Sequence, residues 1–310
     1  MILVTTVNRW SMYNWRVTTQ FIEGSAVIVS VSKSAGAKYR ISSVILFFLL
    51  HVGCLAVFFV PFRWSYVALA AGLYFLRMFA VTAGYHRYFS HRTYKLGRVP
   101  QFLLAFLAET SGQKGVLWWA AHHREHHMYS DTPQDVHSPV QRGFWWAHMG
   151  WILSDAYDDH DPNLIRDYGK FPELRWISRN YLIPPTVLGA AVFLLGGLGP
   201  FVWGFVVSTV CLYHGTFTIN SLAHVWGNRR FETSDDSRNN FFLALITMGE
   251  GWHNNHHKFM YACRQGLRWW EVDCTYYAVK MLGWVGIARE IREPRPTEEE
   301  EPELAEAVAG

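Results

Sequence analysis

Residues Ile41–Val60 read ISSVILFFLLHVGCLAVFFV, an apolar run that contains one histidine and no charged side chain. About 20 such residues are needed for a helix to cross about 30 Å of hydrocarbon, so this stretch predicts a membrane span. A short turn at residues 61–63 (PFR) leads into a second apolar stretch, Trp64–Gly84. Together the two stretches predict a helical hairpin in the membrane.

The same layout recurs later in the chain, where apolar stretches at 181–199 and 201–223 flank a Gly-Pro turn. Lys33, Lys38 and Arg40 precede the first span, and basic flanks favour the cytoplasmic side. We therefore expect an all-α integral membrane protein with four transmembrane helices in two hairpins and cytoplasmic termini. The spans are expected at about 41–60, 64–84, 181–199 and 201–223, and a cytoplasmic helical domain at 85–180 and 224–291.

Outside this membrane domain, placed at 39–291, the chain has two different termini. Residues 1–38 lack the basic-then-apolar order of a signal peptide, and we expect a mobile cytoplasmic segment there. Residues 292–310 are acidic and Pro-rich and predict a disordered tail. The apolar stretch Val99–Leu107 is too short to cross a membrane, so it predicts either an amphipathic surface helix or a core helix of the cytoplasmic domain.

The composition also limits the partners. Hydrophobic residues make up 50% of the chain and aromatic residues 16%, which suits a bilayer partner and an apolar ligand channel. No interleaved basic and aromatic module is visible, so no nucleic-acid partner is expected.

Three histidine boxes carry the chemistry: HRYFSH at 86–91, HREHH at 123–127 and HNNHH at 253–257. They contain eight of the chain's 15 histidines, and imidazole is the commonest protein metal ligand. On a helix, i, i+3 and i+4 share a face, so each HxxHH is expected to direct its three rings to one place. The ends of the first box lie about 140° apart on an α-helix and converge only if that helix ends or bends. Eight imidazoles exceed one ion's coordination, which predicts a two-metal centre.

The boxes and their flanks resemble the membrane fatty acyl desaturase family, over about residues 42–284. Residues 220–227 (NSLAHVWG) are similar to the family's NSxxHxWG segment, and residues 249–253 (GEGWH) to its GEGxH lead-in. The resemblance implies a di-iron centre in which Asn220 binds through water. The implied histidine ligands are His86, His91, His123, His126, His127, His224, His253, His256 and His257.

Ligating imidazoles usually donate their other N–H to a carboxylate. The carboxylates placed nearest to the boxes are Glu125, Asp131, Asp135, Glu250 and Asp273. The remaining histidines match no ligand position of the family: His122 is expected to be a polar neighbour of the centre, and His137 to be structural.

Imidazole ligands suit zinc, copper, iron and nickel alike, so the argument for iron is chemical. Zinc hydrolysis needs a polar substrate, whereas an apolar body beside the centre favours oxidation of unactivated C–H bonds with O2. The chain shows no haem, flavin or nicotinamide signature. A separate electron donor of the ferredoxin, cytochrome b5 or flavin reductase type is therefore expected.

The implied reaction places a cis double bond, at the delta-9 position, in a saturated acyl chain. By resemblance, Gln113, Trp119 and Thr216 line the bend of the acyl tunnel. Acyl-CoA is the favoured carrier, although Ala121 and His122 replace the Arg-Asp pair that family members carry before the second box. A phospholipid or an acyl-carrier-protein thioester is therefore the alternative.

Two other functions fit parts of the pattern. A His-box hydroxylase or alkane oxygenase would share the ligand spacing but would leave an alcohol instead of an alkene. A membrane metal transporter would place its ligands within the spans, whereas the boxes here lie outside the apolar stretches or at their ends.

Overall fold

The computed structural model describes residues 3–7, 15–22, 25–33 and 38–295, the first three segments as backbone only. It is mostly helical. The helices are α1 (Ile41–Gly53), α2 (Trp64–Phe79), α3 (Arg98–Glu109), α4 (Val116–Tyr129), α5 (Pro139–Arg142), α6 (Trp151–Leu153), α7 (Arg166–Gly169), α8 (Pro172–Arg179), α9 (Ile183–Gly196), α10 (Leu198–Pro200), α11 (Ser208–Ser221), α12 (Phe241–Ile246), α13 (His253–Lys258) and α14 (Cys274–Trp284). Turns of 3₁₀ or π geometry extend or join them at Cys54–Phe59, Ala80–Ser90, Trp146–Gly150, Asp155–Tyr157, Pro162–Ile165, Phe201–Val207 and Leu222–His224.

Among the described residues, three continuous helices are long and apolar enough to cross a membrane: Ile41–Phe59, Trp64–Ser90 and Leu198–His224. They contain three of the four predicted spans. The second and third have 27 residues each, which is about 40 Å at 1.5 Å per residue and exceeds the hydrocarbon thickness. Their last turns therefore project beyond the hydrocarbon, and these turns carry histidines.

The remaining predicted span, at 181–199, is shorter than expected. Helix α9 has 14 residues, about 21 Å, because Pro184 and Pro185 fix its first turn and Gly197 ends it at a φ of +78°. Four spans and the two-hairpin topology are therefore not confirmed and stay predictions.

Two short antiparallel strand pairings accompany the helices. Strands β1 (Leu3–Val7), β2 (Trp15–Ile22) and β3 (Ser25–Lys33) form a sheet in the order β1-β2-β3. These segments are rich in Val, Ile and Thr, which favour strands, although no strand was expected in this part of the chain. Strand β4 (Lys95–Leu96) pairs with β5 (Ala288–Arg289). Mobility of residues 1–38 stays a prediction, and most of the acidic tail, from residue 296, lies outside the described residues.

The main core lies under the histidine-bearing turns. It joins the end of the second span to α3, α4, α8 and α14, with Tyr85, Phe89 and Leu174 almost fully buried. In α3, Ala105 and Ala108 are buried in this core, whereas Val99 is 69% exposed. The predicted stretch 99–107 is thus one helix with apolar residues on both its inner and outer faces.

Candidate metal centre

His86 and His91 converge because the second long helix changes from α to π geometry before it ends. Residues Ala80–Ser90 form a π-helix, in which residue i pairs with i+5. The His91 N–H donates to the His86 carbonyl (3.1 Å), and the Ser90 hydroxyl donates to the Tyr85 carbonyl (2.7 Å). The two imidazole centroids lie 4.8 Å apart. The condition set by the i, i+5 spacing is therefore met by a change of helix type.

Helix α4 divides its histidines between two places. His123 and His127 bring their Nε2 atoms to 3.0 Å, whereas the His126 ring faces His224 and His257, at centroid distances of 5.4 and 5.5 Å. The expectation that all three rings of a box point to one place is therefore wrong. Residues i and i+4 diverge by about 40° on a helix, but neighbours i+3 and i+4 diverge by about 100°.

Helix α13 divides its box in the same way. The Nε2 atoms of His253 and His257 lie 3.1 Å apart. His256 instead places its Nε2 atom 3.0 Å from that of His86 and 3.1 Å from that of His127. Each HxxHH box thus contributes two rings to one cluster and one ring to the other.

All nine predicted histidines fall into two clusters. Within each cluster, one nitrogen atom from every histidine lies within 4.8 Å of those of the others. Cluster A contains His86, His91, His123, His127 and His256. Cluster B contains His126, His224, His253 and His257.

His224 joins cluster B from the end of the third long helix, where a 3₁₀ turn, Leu222–His224, follows α11. Its Nε2 atom lies 3.1 Å from that of His253. Asn220 lies one turn earlier and lines the cavity described below. Its role as a ligand through water stays a prediction.

Four of the nine rings present Nδ1 to a nearly buried carboxylate. The pairs are His86 with Glu250 (2.5 Å), His126 with Asp135 (2.9 Å), His224 with Asp131 (2.7 Å) and His257 with Asp235 (2.6 Å). A carboxylate there keeps the proton on Nδ1 and leaves a lone pair on Nε2. Three of these carboxylates were predicted from proximity to the boxes; Asp235 was missed, although it sits in the loop that leads to the third box.

The nitrogen positions fit metal ions. Neighbouring Nε2 atoms lie 2.9–3.1 Å apart within each cluster, and unprotonated nitrogens at that distance repel unless a cation lies between them. Imidazole nitrogens bind metals at about 2.1 Å, so two ligands at right angles lie about 3.0 Å apart. The donor set and its spacing therefore suit one ion per cluster.

Burial favours the neutral form of the imidazoles that face no carboxylate, whereas the carboxylates behind the other rings are ionised. Desolvation, with the neighbouring imidazoles, lowers the pKa of His91, His123 and His256 well below the ordinary value. Burial alone would raise the pKa of Glu250, but the charges of His86 and Arg87 lower it to about 2. Neutral imidazoles with ionised carboxylates behind them are the protonation states that metal binding requires.

Arg87, inside the first box, fixes the carboxylate behind His86. Its side chain is fully buried, and it donates to Glu250 (Nε to Oε1, 3.0 Å) and to Asp273 (Nη1 to Oδ2, 3.0 Å). Asp273 was predicted to be a carboxylate partner of a histidine, but it binds Arg87 instead. Sequence reasoning missed Arg87, whose only signal was its position between two predicted ligands.

An apolar cavity of about 360 Å³ reaches cluster A. The three predicted tunnel residues, Gln113, Trp119 and Thr216, all line it. The Gln113 amide donates to the Thr216 hydroxyl (3.1 Å), and the Trp119 ring stacks on His123, at 5.0 Å between centroids. Since His123 also lines the cavity, a bound chain would pass beside cluster A.

Two further histidines, His122 and His137, line the same cavity. The His122 ring lies tilted against Trp118, at 4.3 Å between centroids, and its Nδ1 lies 3.0 Å from the Trp118 carbonyl oxygen. His137 stacks on His126 of cluster B at 4.3 Å. Both are thus aromatic wall residues beside the clusters.

A second, cationic chamber of about 670 Å³ opens beside the first. The two cavities share Arg40, Lys114, Trp118 and Tyr181. The cations that line the chamber are Arg40, Lys114, Arg166, Lys170, Arg175 and Arg179, against the two carboxylates Asp158 and Asp159. An apolar cavity that continues into a positively charged chamber is suited to an amphiphile with an anionic head.

Lys114 stands at the junction of the two cavities. Its Nζ lies 3.0 Å from Asp158 and 5.7 Å from the Trp118 ring centroid. Its backbone has a φ of +70°, which non-glycine residues seldom adopt, and its carbonyl accepts from the Tyr85 hydroxyl (2.8 Å). Such fixed backbone strain is typical of binding sites.

Comparison with protein-family models matches residues 62–280 to the fatty acid desaturase family. The matched region contains all three boxes, His224 and the cavity-lining residues between Gly112 and Asn220.

Characterised relatives resemble most of the chain. A palmitoyl-monogalactosyldiacylglycerol delta-7 desaturase of Arabidopsis thaliana is 38% identical over 75% of this chain and 64% of its own length. An acyl-CoA 5-desaturase of Anemone leveillei is 36% identical over 79% of this chain and 77% of its own. An sn-1 stearoyl-lipid 9-desaturase of Anabaena variabilis is 36% identical over 80% of this chain and 92% of its own.

Proposed function

The chain belongs to the fatty acid desaturase family, and we propose that it is a membrane di-iron desaturase that places a cis double bond at the delta-9 position of a saturated acyl chain. One observation carries the proposal: of two adjacent imidazole clusters, cluster A reaches the wall of an apolar cavity through His123. The enzyme is an oxygen-dependent oxidoreductase. Per turnover, the alkyl chain, O2, two electrons and two protons become an alkene and two waters.

Iron is the proposed metal because the cavity beside the clusters is apolar and its occupant offers only C–H bonds. When bound, two irons would supply the oxidant that removes hydrogen from two adjacent carbons. The nine clustered histidines are the proposed ligands, with Asn220 as a ligand through water. The four carboxylates behind them would orient the rings.

The shape of the cavity supports regioselective oxidation. Gln113 and Thr216 are joined by a hydrogen bond across it, and Trp119 is held against His123. These three residues are proposed to hold the chain in register at the metal ligands. The similar relatives are named as 5-, 7- and 9-desaturases, so the delta-9 position is the most specific part of the proposal.

Acyl-CoA is the proposed carrier because the cationic chamber suits phosphate groups. Two motifs of the animal family members are absent: Ala121 and His122 occupy the position of their Arg-Asp pair, and Ser154 and Asp155 the position of their basic pair. The chamber offers six cations and two carboxylates instead. Lys114, at the entrance of the apolar cavity, would contact the head of the carrier.

We also propose the membrane arrangement predicted from the sequence, with four spans in two hairpins and the metal centre on the cytoplasmic side. A separate donor protein would then deliver electrons from the cytosol. The exposed apolar side chains of α9, such as Leu194 and Leu195 at 79% and 90% exposure, support its contact with lipid.

The test is lipid analysis in a host that lacks its own desaturase. We expect new cis-monoenoic fatty acids with the wild-type chain and none with His126→Ala, at equal protein levels. Mapping the double bond then tests the delta-9 position. Hydroxy fatty acids in place of alkenes would reassign the chain to the hydroxylase type, and the absence of any new product with iron bound and a reductant supplied would overturn the proposal.

A further inference from the structure

Three histidines outside the two clusters form a hydrogen-bonded row, which we call the histidine row. His51 lies on α1, His214 on α11 and His148 in the π turn Trp146–Gly150. The Nε2 atoms of His51 and His214 lie 3.0 Å apart, and Nδ1 of His214 lies 2.9 Å from Nε2 of His148. His214 thus uses a different nitrogen towards each neighbour, so the rings form a chain and not a chelating site for one metal ion.

Each end of the row meets a hydrogen-bond acceptor. Nδ1 of His51 lies 2.7 Å from the Phe47 carbonyl oxygen. Nδ1 of His148 lies 3.0 Å from the Ser221 hydroxyl, which itself donates to the Phe217 carbonyl (2.9 Å). A carbonyl oxygen only accepts, and a serine hydroxyl has one proton to donate. When all these bonds are made, His51 and His148 therefore donate outward through Nδ1.

This pattern determines the protonation of the middle ring. A neutral imidazole has one N–H and one lone pair, so His51 and His148 both present an Nε2 lone pair to His214. His214 can bond to both neighbours only if it carries a proton on each nitrogen. The complete pattern is thus one imidazolium between two neutral imidazoles.

Without that extra proton, one other pattern satisfies the row. Ser221 then turns its hydroxyl from the Phe217 carbonyl to Nδ1 of His148, and each ring donates to the next towards Phe47. The two patterns use the same atoms and differ by one proton and by the direction of the Ser221 hydroxyl. The row therefore has the hydrogen bonds to hold or release a single proton at its Ser221 end.

The surroundings favour one charge on the row and not two. Burial and the charge of His214 lower the pKa of His148 to about 4, so the ring beside the imidazolium stays neutral. The other ionisable side chains within about one turn of the row on the packed helices are Cys54, Cys211, Tyr213 and Arg77.

We propose that the histidine row is a proton store for the reaction at the metal centre. That reaction takes up two protons per turnover, and the row supplies one at a time. Ser221 lies one turn before His224 of cluster B and next to Asn220, the residue proposed to bind through water. Histidine chains within membrane spans are typical of proton relays. The inference rests on the proposed desaturase function.

Release moves each proton by one hydrogen bond. The Ser221 hydroxyl gives its proton to a water on the Asn220 side and takes the Nδ1 proton of His148. Nε2 of His148 then takes the Nδ1 proton of His214. The row is left neutral, with the Ser221 hydroxyl directed at His148; one proton has left and no electron has moved. A proton taken up from cytoplasmic water reverses these transfers.

Infrared difference spectra of the metal-loaded enzyme test the store directly. Between about pH 8 and pH 5, the wild type should take up one imidazolium proton more than His214→Gln, identified by nitrogen-15 labelling of histidine. Cys211→Ala, one turn away on the same helix, is the matched control and should take up as many as the wild type. Equal uptake in the wild type and His214→Gln would overturn the store.

Turnover tests the supply role. In His214→Gln, kcat should fall about 100-fold, as for the loss of a positioned proton donor, and KM for the acyl substrate should not change. The solvent deuterium isotope effect on kcat should rise, because proton supply becomes rate-limiting. Added imidazole should restore turnover in His148→Ala, which also keeps the test decisive if His214→Gln does not accumulate. Cys211→Ala should keep the wild-type kcat.

The outcomes distinguish failure of the supply role from failure of the desaturase function. A wild type that makes monoenes, with an unchanged isotope effect in His214→Gln and no imidazole rescue of His148→Ala, assigns these residues a structural role and leaves the desaturase function in place. A wild type that makes no monoenes overturns both proposals, whatever the infrared spectra show.

Discussion

At the scale of single residues, Asp235 and Asp236 are sequence neighbours in different surroundings. Asp235 lies 2.6 Å from His257 and is nearly buried, whereas the Asp236 side chain is 41% exposed beside Arg229. A carboxylate behind a ligating imidazole typically contributes 10- to 100-fold in metal affinity. We expect Asp235→Asn to lower iron affinity by about that factor and Asp236→Asn to leave it unchanged, measured by competition with a chelator. Equal affinities in the two variants would contradict the role given to Asp235.

Glu109 gives a prediction about pH. It is fully buried and accepts from the Val116 N–H (2.9 Å), and burial raises its pKa from 4.5 to about 8. Between these values the folded chain keeps a proton that the unfolded chain releases, so stability falls as pH rises from about 4.5 to about 8. Glu109→Gln should remove this dependence and stabilise the chain by roughly 3 kcal/mol near neutral pH.

Thermal unfolding of the detergent-solubilised protein across that pH range measures the effect. The exposed Glu290, replaced by Gln, serves as the control. A wild-type unfolding temperature that changes with pH in the same way as that of Glu109→Gln would show that Glu109 has no raised pKa in the folded chain.

Residue types and spacing were sufficient to find the eight histidines of the boxes and three of the carboxylates behind them, whereas His224 came from family resemblance. They were not sufficient for Asp235 or Arg87, because each acts through contacts with residues that are distant in sequence. The tunnel residues came from family resemblance.

At the scale of elements, the two HxxHH helices bridge the clusters by dividing their rings. His123→Ala and His127→Ala should both weaken cluster A, whereas His126→Ala should weaken cluster B. Because i and i+4 serve one ion and i+3 the other, the His123→Ala/His127→Ala double variant should keep about one iron per chain. The His123→Ala/His126→Ala variant should approach none. Iron analysis of purified proteins at equal loading decides this, and equal iron content in the two doubles would contradict the division.

The type and the ends of two helices could not be predicted from sequence periodicity alone. The i, i+5 spacing of the first box required a break in the helix, and the structure meets this requirement with a π-helix stabilised by the Ser90 hydroxyl bond to the Tyr85 carbonyl. Helix type depends on such tertiary and side-chain contacts, which spacing cannot reveal. The length of α9 was overestimated because the hydropathy pattern continues across Gly197, where the backbone turns.

At the scale of the whole molecule, most of the cations that line the two cavities lie in the chamber and not beside the histidine clusters. The cationic chamber lies at the mouth of a neutral, apolar cavity. Replacing Lys170 and Arg166 by Ala should raise KM for acyl-CoA about three- to tenfold with little change in kcat, because these cations bind ground and transition state alike. The effect should shrink at high salt.

Steady-state kinetics at two salt concentrations measures this change. Lys95→Ala, on an exposed pair with Glu290 outside the chamber, is the control. An equal loss with a neutral glycolipid substrate would argue against phosphate recognition.

The mostly helical character and three of the four predicted spans followed from hydropathy, because the bilayer imposes one length scale on every span. The N-terminal strands were missed because no long apolar run identifies them; their only signal is local enrichment in Val, Ile and Thr. The position of the cavity between α1, α4 and α11 was also beyond prediction, since it depends on how separate helices pack.

The clusters also set an order of events during synthesis. Cluster A draws on residues from His86 to His256 and cluster B on residues from His126 to His257, so neither can be completed while the ribosome is still translating the third box. A nascent chain already threaded into the membrane would hold two incomplete sets of imidazoles. Either cluster can thus be completed only after the third box has left the ribosome, and a chain truncated before residue 250 would lack three of the nine clustered histidines.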